Sequence, residues 1–344
     1  PEIKPIRQFT EAGNNNAGRG SSDGEYIYIP TSTDGVAKIG KYDLQGNRIW
    51  EKDLNDGGVD ESVSSSAVGS DGTILVASGS SGTGGRSSTL TRYSAAGDKL
   101  WEITNSFPVF TDVAVDGNTV YVSGGTGTGF NSANTAFINA YSLDNGTELW
   151  SKQYPDSGAA VIGDLEIVDN NIYAAAALYG KQDFDTGIVG RLDLNGNEIW
   201  WKSAPATDWN STWAVRVIDD QVIAVGYKAD GSDRMDTRLI SFQKSDGAIL
   251  WDKSWGDNNG QGSGALEIIN GKIYIAYGDG VPWNSSAKSG GYSVVDELDP
   301  SGNLLNSYKY DVKSEYDGAG SFIKVGNSLY VLGSTDGTIP GQSN

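Results

Sequence analysis

Short runs of β-branched and aromatic residues recur along the chain at intervals of about fifty residues. Seven such runs occur, at residues 26–29, 74–77, 120–123, 172–175, 222–225, 273–276 and 329–332. The turns that precede them contain pairs such as Asp71-Gly72 and Asn270-Gly271, which favour the positive φ angles of tight hairpins. From the second repeat onward another apolar segment precedes each turn, as at 63–68 and 112–115. The pattern predicts a chain built of β-hairpins.

A second motif, a glycine followed four residues later by a tryptophan, recurs with the same period. It occurs as Gly46 to Trp50, Gly97 to Trp101, Gly146 to Trp150, Gly196 to Trp200 and Gly247 to Trp251, and each Trp follows Ile or Leu. A sixth copy, at 298–305, keeps the glycine, but Asn306 stands at the tryptophan position. We interpret the motif as the turn into an outer strand whose Trp fills the gap between neighbouring repeats. Repetition at this period indicates stacked or radial units.

Four short strands per repeat, joined by hairpins, are typical of a propeller blade. The sequence therefore predicts an all-β, seven-bladed β-propeller with four antiparallel strands per blade, as a single domain over residues 1–344. Segment 6–9 resembles segment 151–154, so we expect residues 3–10 to supply the N-terminal strand that closes the ring. The predicted blades span approximately 17–55, 62–105, 109–154, 160–204, 212–256, 264–311, and 318–344 together with 3–10.

Charge and composition narrow the chemistry that such a propeller can perform. The chain has 25 Lys plus Arg against 44 Asp plus Glu, a net charge of −19, so we expect no nucleic acid partner. Histidine is absent, which removes the usual acid–base catalyst near neutral pH and the commonest ligand for zinc or copper. Cysteine is absent too, and no apolar run is long enough for membrane insertion. The acidic, glycine-rich composition favours an extracellular or cell-surface location.

At these repeats the chain resembles bacterial β-propeller repeat proteins, a repeat family of large secreted and surface proteins. The resemblance rests on the hairpins, on the loop at 333–341 and on the Asp-Leu-x-Gly-Asn-x-Ile-Trp-x-Lys motif at 193–202. A similar Gly-x-x-x-Trp motif occurs in quinoprotein dehydrogenases and in the propeller of the outer-membrane assembly machinery. The resemblance implies a propeller that forms a section of a larger polypeptide. The adjacent cysteine pair and the calcium-quinone cluster of the dehydrogenases have no counterpart in this sequence.

Aromatic residues outside the repeat form the first candidate for a ligand-binding site. We expect them on the rim loops of blades four to six, where rings can stack on sugars or grip a peptide and polar neighbours can bind hydroxyl groups. The alternative is that the rings pack these loops onto each other. The candidate residues are Trp209, Trp213, Trp255, Trp283 and Tyr179, with Asp208, Asp257 and Asn258 as hydrogen-bonding groups.

Acidic loops form a second candidate site, and calcium is the cofactor that they suggest. The loop at 230–236 carries Asp230, Asp233 and Asp236, and carboxylate oxygens suit a hard cation. The alternative is a set of solvated turns whose side chains bind their own backbone.

Three functional expectations follow. The preferred one is a non-catalytic extracellular binding or adhesion module that recognises a glycan or a cell-surface protein through the rim loops of blades four to six. The second is a carbohydrate-active enzyme, a glycosidase or polysaccharide lyase, with a carboxylate or tyrosine site near the axis, where Asp112 and Asp164 open inner strands. The third is a structural spacer in a large surface protein.

Overall fold

The structure is a computed structural model that describes most of the chain in twelve stretches. These stretches are residues 15–54, 61–82, 85–106, 109–126, 135–155, 160–178, 186–205, 210–229, 235–255, 262–279, 292–310 and 317–335. All regular secondary structure within these stretches is β-strand, and the strands are numbered β1 to β27 along the chain.

The strands form six blades, each an antiparallel sheet whose strands follow one another in sequence. Blade 1 contains β1 (Asn15–Ala17), β2 (Ser21–Ser22), β3 (Tyr26–Thr33), β4 (Val36–Asp43) and β5 (Arg48–Asp53). Blade 2 contains β6 (Glu61–Val68), β7 (Ile74–Gly82), β8 (Gly85–Tyr93) and β9 (Lys99–Ser106). Blade 3 contains β10 (Val109–Asp116), β11 (Thr119–Gly125), β12 (Ala136–Ser142) and β13 (Glu148–Gln153).

The second half of the chain repeats this arrangement. Blade 4 contains β14 (Val161–Val168), β15 (Asn171–Leu178), β16 (Thr186–Asp193) and β17 (Glu198–Ser203). Blade 5 contains β18 (Asn210–Ile218), β19 (Gln221–Ala229), β20 (Met235–Gln243) and β21 (Ile249–Trp255). Blade 6 contains β22 (Gly262–Ile269), β23 (Lys272–Asp279), β24 (Tyr292–Leu298) and β25 (Leu304–Tyr310), and a two-stranded sheet of β26 (Asp317–Val325) and β27 (Ser328–Thr335) follows.

The blades surround a central axis. The first strand of each blade contacts the first strand of the next, and β2 contacts both β6 and β26, so the ring is closed. The all-β propeller with four antiparallel strands per blade is confirmed, but the prediction of seven blades is wrong, since the structure has six. Within the described residues the last repeat contributes only the hairpin of β26 and β27. The predicted closing strand at 3–10 lies outside the described residues.

The hydrophobic core lies between neighbouring blades. One cluster joins blades 3 and 4 through residues such as Tyr121, Ile138, Ile162 and Ile188, each at most 2% exposed. The turns that the sequence indicated are present, with φ of 76° at Gly72 and 52° at Asn270. The second strands have neighbouring blades on both faces, which explains why strands such as β11 and β15 are buried along almost their whole length rather than on alternate residues.

Each repeated tryptophan packs on the turn glycine of the following blade, not on the glycine of its own motif. A β-carbon added to Gly146 would lie 3.2 Å from the indole of Trp101, and one added to Gly247 would lie 2.9 Å from that of Trp200. Trp101 Nε1 also donates to the carbonyl oxygen of Leu143 at 2.9 Å. These glycines have φ near +71°, so they provide both the turn and the flat surface that receives the ring.

Asn306, which replaces the sixth tryptophan, has a different contact. Its Nδ2 donates to Glu297 Oε2 at 3.0 Å, and Tyr308 donates its hydroxyl proton to the same oxygen at 3.1 Å. The outer strand of blade 6 is therefore held to its own sheet by polar contacts.

Candidate functional site

A cavity of about 130 Å³ lies on the axis, where the inner strands of all six blades and of the two-stranded sheet meet. Each inner strand from β6 onward contains a β-bulge, and the residue directly after the extra residue lines the cavity. The bulge is a backbone device that aims the same position of every repeat at the axis. These positions are Ser65, Asp112, Asp164, Ala214, Ala265 and Ser321.

Arg19, from blade 1, reaches across the cavity to two buried carboxylates. Its Nη1 lies 3.6 Å from Asp112 Oδ1 and 3.3 Å from Asp164 Oδ1. The guanidinium also donates to the carbonyl oxygens of Gly163 and Trp213, with a distance of 2.8 Å to the latter. One side chain from blade 1 therefore holds blades 3, 4 and 5 at the axis.

The two aspartates in turn bind the backbone of the next blade. Asp112 Oδ2 accepts the N–H of Leu165 at 2.9 Å, and Asp164 Oδ2 accepts the N–H of Val215 at 2.8 Å. Asp112 and Asp164 are only 4% and 2% exposed, so both carboxylates depend on these partners for compensation. Asp112 and Asp164 therefore hold neighbouring blades together through hydrogen bonds.

Arg216 extends the chain of ion pairs toward blade 6. Its Nη1 lies 2.8 Å from Asp164 Oδ2 and its Nε lies 3.3 Å from Glu267 Oε2. Lys324 Nζ lies 4.0 Å from Glu267 Oε1 at the far end. Positive and negative groups alternate along this chain, and each buried carboxylate therefore has a cationic neighbour.

Burial perturbs the acids of this region. Burial raises the pKa of Asp112 to about 6, with Arg19 opposing the shift and Asp164 adding to it. Burial likewise raises the pKa of Glu166 to about 7, against the opposing charge of Arg216, and Glu166 Oε2 has no hydrogen-bond partner among the described residues. For Arg216 burial lowers the pKa, but the carboxylates of Asp164 and Glu267 outweigh it and the pKa is raised. The axis is therefore sensitive to pH between about 4 and 7.

A second feature lies on the outside of the propeller, where the outer strand of every blade has a bulge. In blade 3, Ala140 pairs with Trp150 and Tyr141 pairs with Glu148, so Leu149 is an extra residue without a pairing partner on β12. The other blades repeat this register, and the extra residue is always the Ile or Leu before the tryptophan position. The six extra residues are Ile49, Leu100, Leu149, Ile199, Leu250 and Leu305.

All large exposed hydrophobic residues in the described part of the chain belong to this ring. They are the six bulge residues together with their neighbours Ile249 and Leu304, and they are 43% to 59% exposed. The outer strands that carry them, β5, β9, β13, β17, β21 and β25, each pair with a single neighbour within the described stretches. Each blade thus presents an apolar side chain beside an open strand edge.

The predicted aromatic platform is only partly within the described residues. Trp213 is the extra residue of inner strand β18, and its ring centre lies 6.5 Å from that of Tyr227. Trp255 ends outer strand β21 opposite Thr237 and packs against the core between blades 5 and 6. The structure therefore places these two rings at opposite edges of blade 5. Trp209, Trp283, Tyr179, Asp208, Asp257 and Asn258 lie outside the described residues.

The predicted calcium loop is likewise described only at its end. Asp236 lies in β20, where it pairs with Lys228, while Asp230 and Asp233 fall outside the described stretches. Within those stretches no group of three or more His, Cys, Asp or Glu side chains is arranged to hold a metal ion.

Sequence reasoning missed Arg19, Glu166, Arg216 and Glu267. Three of them carried a usable signal, since Glu166, Arg216 and Glu267 occupy the same inner-strand position at the repeat spacing. Arg19 lies in a Gly-Arg-Gly segment before the first clear repeat, and nothing in the pattern indicates that it reaches the axis.

Comparison with known proteins supports the assignment of the repeats. A family model described as outer membrane protein assembly factor BamB matches residues 35–200, a little less than half of the chain. This match and the likeness to quinoprotein propellers confirm the resemblance that the repeats indicate. A search of curated protein sequences gives no match.

Several solved structures have a similar fold at low sequence identity. The quinohemoprotein alcohol dehydrogenase from Comamonas testosteroni is 13% identical, with a TM-score of 0.55 over 92% of this chain and 66% of the other. A quinohemoprotein alcohol dehydrogenase from Pseudomonas putida is 12% identical, with a TM-score of 0.55 over 93% and 65%. The WD40 domain of Toxoplasma gondii coronin is 11% identical, with a TM-score of 0.55 over 93% and 75%.

These likenesses show the fold alone. The chain spans slightly less than two thirds of the length of the two dehydrogenases. The names of these two enzymes refer to a quinone and a haem. The residues at the axis of this chain do not fit such groups. The cavity of about 130 Å³ is smaller than the roughly 300 to 1,000 Å³ of typical cofactor sites. Arg19 also crosses it, and its carboxylates are already bound to arginines and backbone N–H groups.

The comparisons contradict the preferred functional expectation drawn from the sequence. An adhesion module acting through the rim loops of blades four to six is contradicted, because the family model that matches residues 35–200 describes an assembly factor. The carbohydrate-active enzyme is not favoured either, since Asp112 and Asp164 fasten blades together. Among the described residues, no helix has the length and apolar character needed to cross a membrane.

Proposed function

We propose that the chain is a non-catalytic protein-assembly scaffold that binds a strand-forming segment of a partner protein along the outer strands of its blades. The observation that carries the proposal is the ring of exposed Ile and Leu residues. Six of the eight large exposed hydrophobic residues of the described chain lie at one repeated position, directly before the tryptophan position, and the other two, Ile249 and Leu304, lie one residue earlier. The core does not require an apolar residue there, because the side chain points away from it. A binding surface supplies a reason for its repetition.

The open strand edges define the chemistry of the partner. An outer strand such as β13 or β17 has unpaired N–H and C=O groups along its free edge. A peptide segment in extended conformation can hydrogen-bond to these groups and add a strand to the sheet. Leu149 or Ile199 beside that edge then covers one apolar side chain of the added strand. Barrel proteins of outer membranes consist of strands with alternating apolar residues, so an unfolded barrel strand fits both requirements.

The family match agrees with this partner. Residues 35–200 match the model of an outer membrane protein assembly factor, and that stretch includes four of the six bulge positions. The net charge of −19 favours client segments that are positively charged. The proposal places the chain outside the cytoplasm, in the cell envelope where unfolded barrel strands occur, with such a protein as its partner.

The test uses a fluorescently labelled, unfolded eight-stranded outer-membrane barrel protein diluted from urea as the client. Binding is measured by fluorescence anisotropy with the complete chain and with the double variant Leu149→Ser/Ile199→Ser. Covering the exposed half of each side chain contributes about 1 kcal/mol, so the double variant should bind about 30-fold more weakly. The matched control is Glu148→Ser/Glu198→Ser, which changes the exposed residue before each bulge on the same two strands.

The expected result is tight binding by the unmodified chain and by the control, and weak binding by the apolar variant. Absence of client binding by the unmodified chain, or equal binding by the three proteins, would show that the apolar ring is not a client surface.

A further inference from the structure

The position after the inner-strand bulge differs between the two halves of the ring. Blades 3 and 4 have Asp112 and Asp164 there, whereas blades 5 and 6 have Ala214 and Ala265. All four residues line the axial cavity. The alanines therefore leave space at the places where their equivalents hold a carboxylate.

Those carboxylates have a defined task, which is to accept a backbone N–H from the next blade. Asp112 binds the N–H of Leu165, and Asp164 binds that of Val215. In the same arrangement, the residue of the next blade that corresponds to Leu165 is Leu266 for Ala214 and Phe322 for Ala265. Neither alanine has a side-chain oxygen to offer.

The strand register directs these two N–H groups at the cavity. Leu165 is three pairs from its hairpin closure, opposite Ala174, which makes it a non-hydrogen-bonded pair whose N–H points away from the partner strand. Leu266 opposite Ile275 and Phe322 opposite Val331 occupy the same place in their hairpins. Both residues line the cavity and are buried, with 1% and 8% exposure.

A third donor stands beside them. Ser321 lines the cavity at 7% exposure, and its Oγ has no hydrogen-bond partner within the described residues. A buried hydroxyl without a partner is costly, and its proton is available to an acceptor in the cavity.

We propose that the axial cavity binds a small carboxylate, whose oxygens accept the N–H groups of Leu266 and Phe322 and the hydroxyl of Ser321. The ligand supplies to blades 5 and 6 what Asp112 and Asp164 supply to blades 3 and 4. Among the residues that line the cavity, the two arginines Arg19 and Arg216 balance the charges of the two aspartates. The cavity holds several water-sized groups, which suits an acid of acetate size. This site is separate from the outer strands and does not depend on their function.

The experiment titrates sodium acetate into the complete, isotope-labelled chain at pH 7, with sodium chloride at equal ionic strength as reference. Amide NMR signals of Leu266 and Phe322 are followed. Saturable shifts of both signals with acetate, and not with chloride, are expected. A parallel titration with a short acidic peptide distinguishes a free acid from a carboxylate on a protein. Response to the peptide alone would assign the ligand to a protein side chain or terminus.

Variants at the alanines provide the decisive comparison. Ala265→Asp puts the carboxylate of blades 3 and 4 into blade 6, so it should weaken acetate binding at least about tenfold and remove the response of Phe322. Ala265→Ser is the matched control, because blade 2 already has Ser65 at this position, and it should keep acetate binding. Ala214→Asp tests the same replacement independently at Leu266.

Two results would overturn the proposal. No amide shift with either acetate or the peptide would mean that the cavity holds water alone. Acetate-dependent shifts that persist unchanged in both aspartate variants would place the anion elsewhere on the protein.

Discussion

The indole ring of Trp150 in blade 3 lies so close to Gly196, the turn glycine of blade 4, that a β-carbon on Gly196 would come within 2.8 Å of it. The glycine and tryptophan of one motif therefore serve different interfaces. The glycine packs against the tryptophan of the preceding blade, and the tryptophan packs against the turn glycine of the following blade. This relationship explains why both residues repeat together.

Replacing a turn glycine should separate this contact from the cost of the backbone. Gly196→Ala has both a φ of 74° and a clash with the indole, so we expect a loss of about 3 kcal/mol in the free energy of unfolding. Gly72→Ala is the matched control, because its φ is 76° and nothing lies within 4 Å of its added carbon. It should cost about 1 kcal/mol. Urea unfolding of the two variants measures the difference, and equal losses would refute the inter-blade contact.

The indole N–H groups provide a second comparison. Trp101→Phe removes the bond to the carbonyl oxygen of Leu143, and we expect the free energy of unfolding to fall by about 1 to 2 kcal/mol beyond the loss of ring area. Trp201 Nε1 is buried without a hydrogen-bond partner among the described residues, so Trp201→Phe should cost clearly less. Thermal unfolding of both variants tests this order, and the reverse order would argue against the bond.

At the axis, breaking the ion-pair chain should be costly. Asp164→Asn removes charge from a side chain that is 3% exposed and bound to Arg216 and Val215, so we expect a loss of about 3 kcal/mol or more. Asp169→Asn is the surface control. Its ion pair with Lys244 involves a side chain that is 66% exposed, and its loss should cost at most about 1 kcal/mol. Similar unfolding midpoints for the two variants would contradict the fastening role.

Stability should depend on pH through Glu166. Its pKa in the folded protein, about 7, lies above its ordinary value of 4.5, so the folded chain holds more protons than the unfolded chain between these values. The stabilisation is therefore complete below about pH 4.5 and is lost as the pH rises through 7, by at most about 3 kcal/mol. Asp112, with a pKa raised to about 6, acts in the same direction.

Glu166→Gln should flatten this decline when the melting temperature is measured from pH 5 to pH 8. Glu198→Gln, a change at an exposed carboxylate, should leave the slope of the unmodified protein. An unchanged slope in Glu166→Gln would show that Glu166 is not protonated in the folded state at these pH values.

The sequence predicts the strands well because their signals are local. Runs such as 120–123 and turns such as Asn270-Gly271 specify hairpins by themselves. The number of blades was not predictable in this way, because the hairpin of the last repeat has the same local signals as a complete blade, whereas within the described residues β26 and β27 form only a two-stranded sheet.

The candidate site was harder to predict, since it depends on register. From its apolar character alone, the Ile or Leu before each tryptophan would be assigned to the core. Only the bulge in the structure shows that Leu149 and its equivalents are exposed. Asp112 and Asp164 were correctly expected near the axis, but their partner Arg19 is distant in sequence and belongs to no repeat.

The most direct test of the assembly-scaffold account is amide hydrogen exchange with and without the unfolded barrel client. If an added strand pairs with the open edges, exchange should slow in outer strands such as β13 (Glu148–Gln153) and β17 (Glu198–Ser203), while inner strands β10 and β14 remain unchanged. Client-dependent protection confined to other surfaces, or no protection of any outer strand at saturating client, would contradict the account.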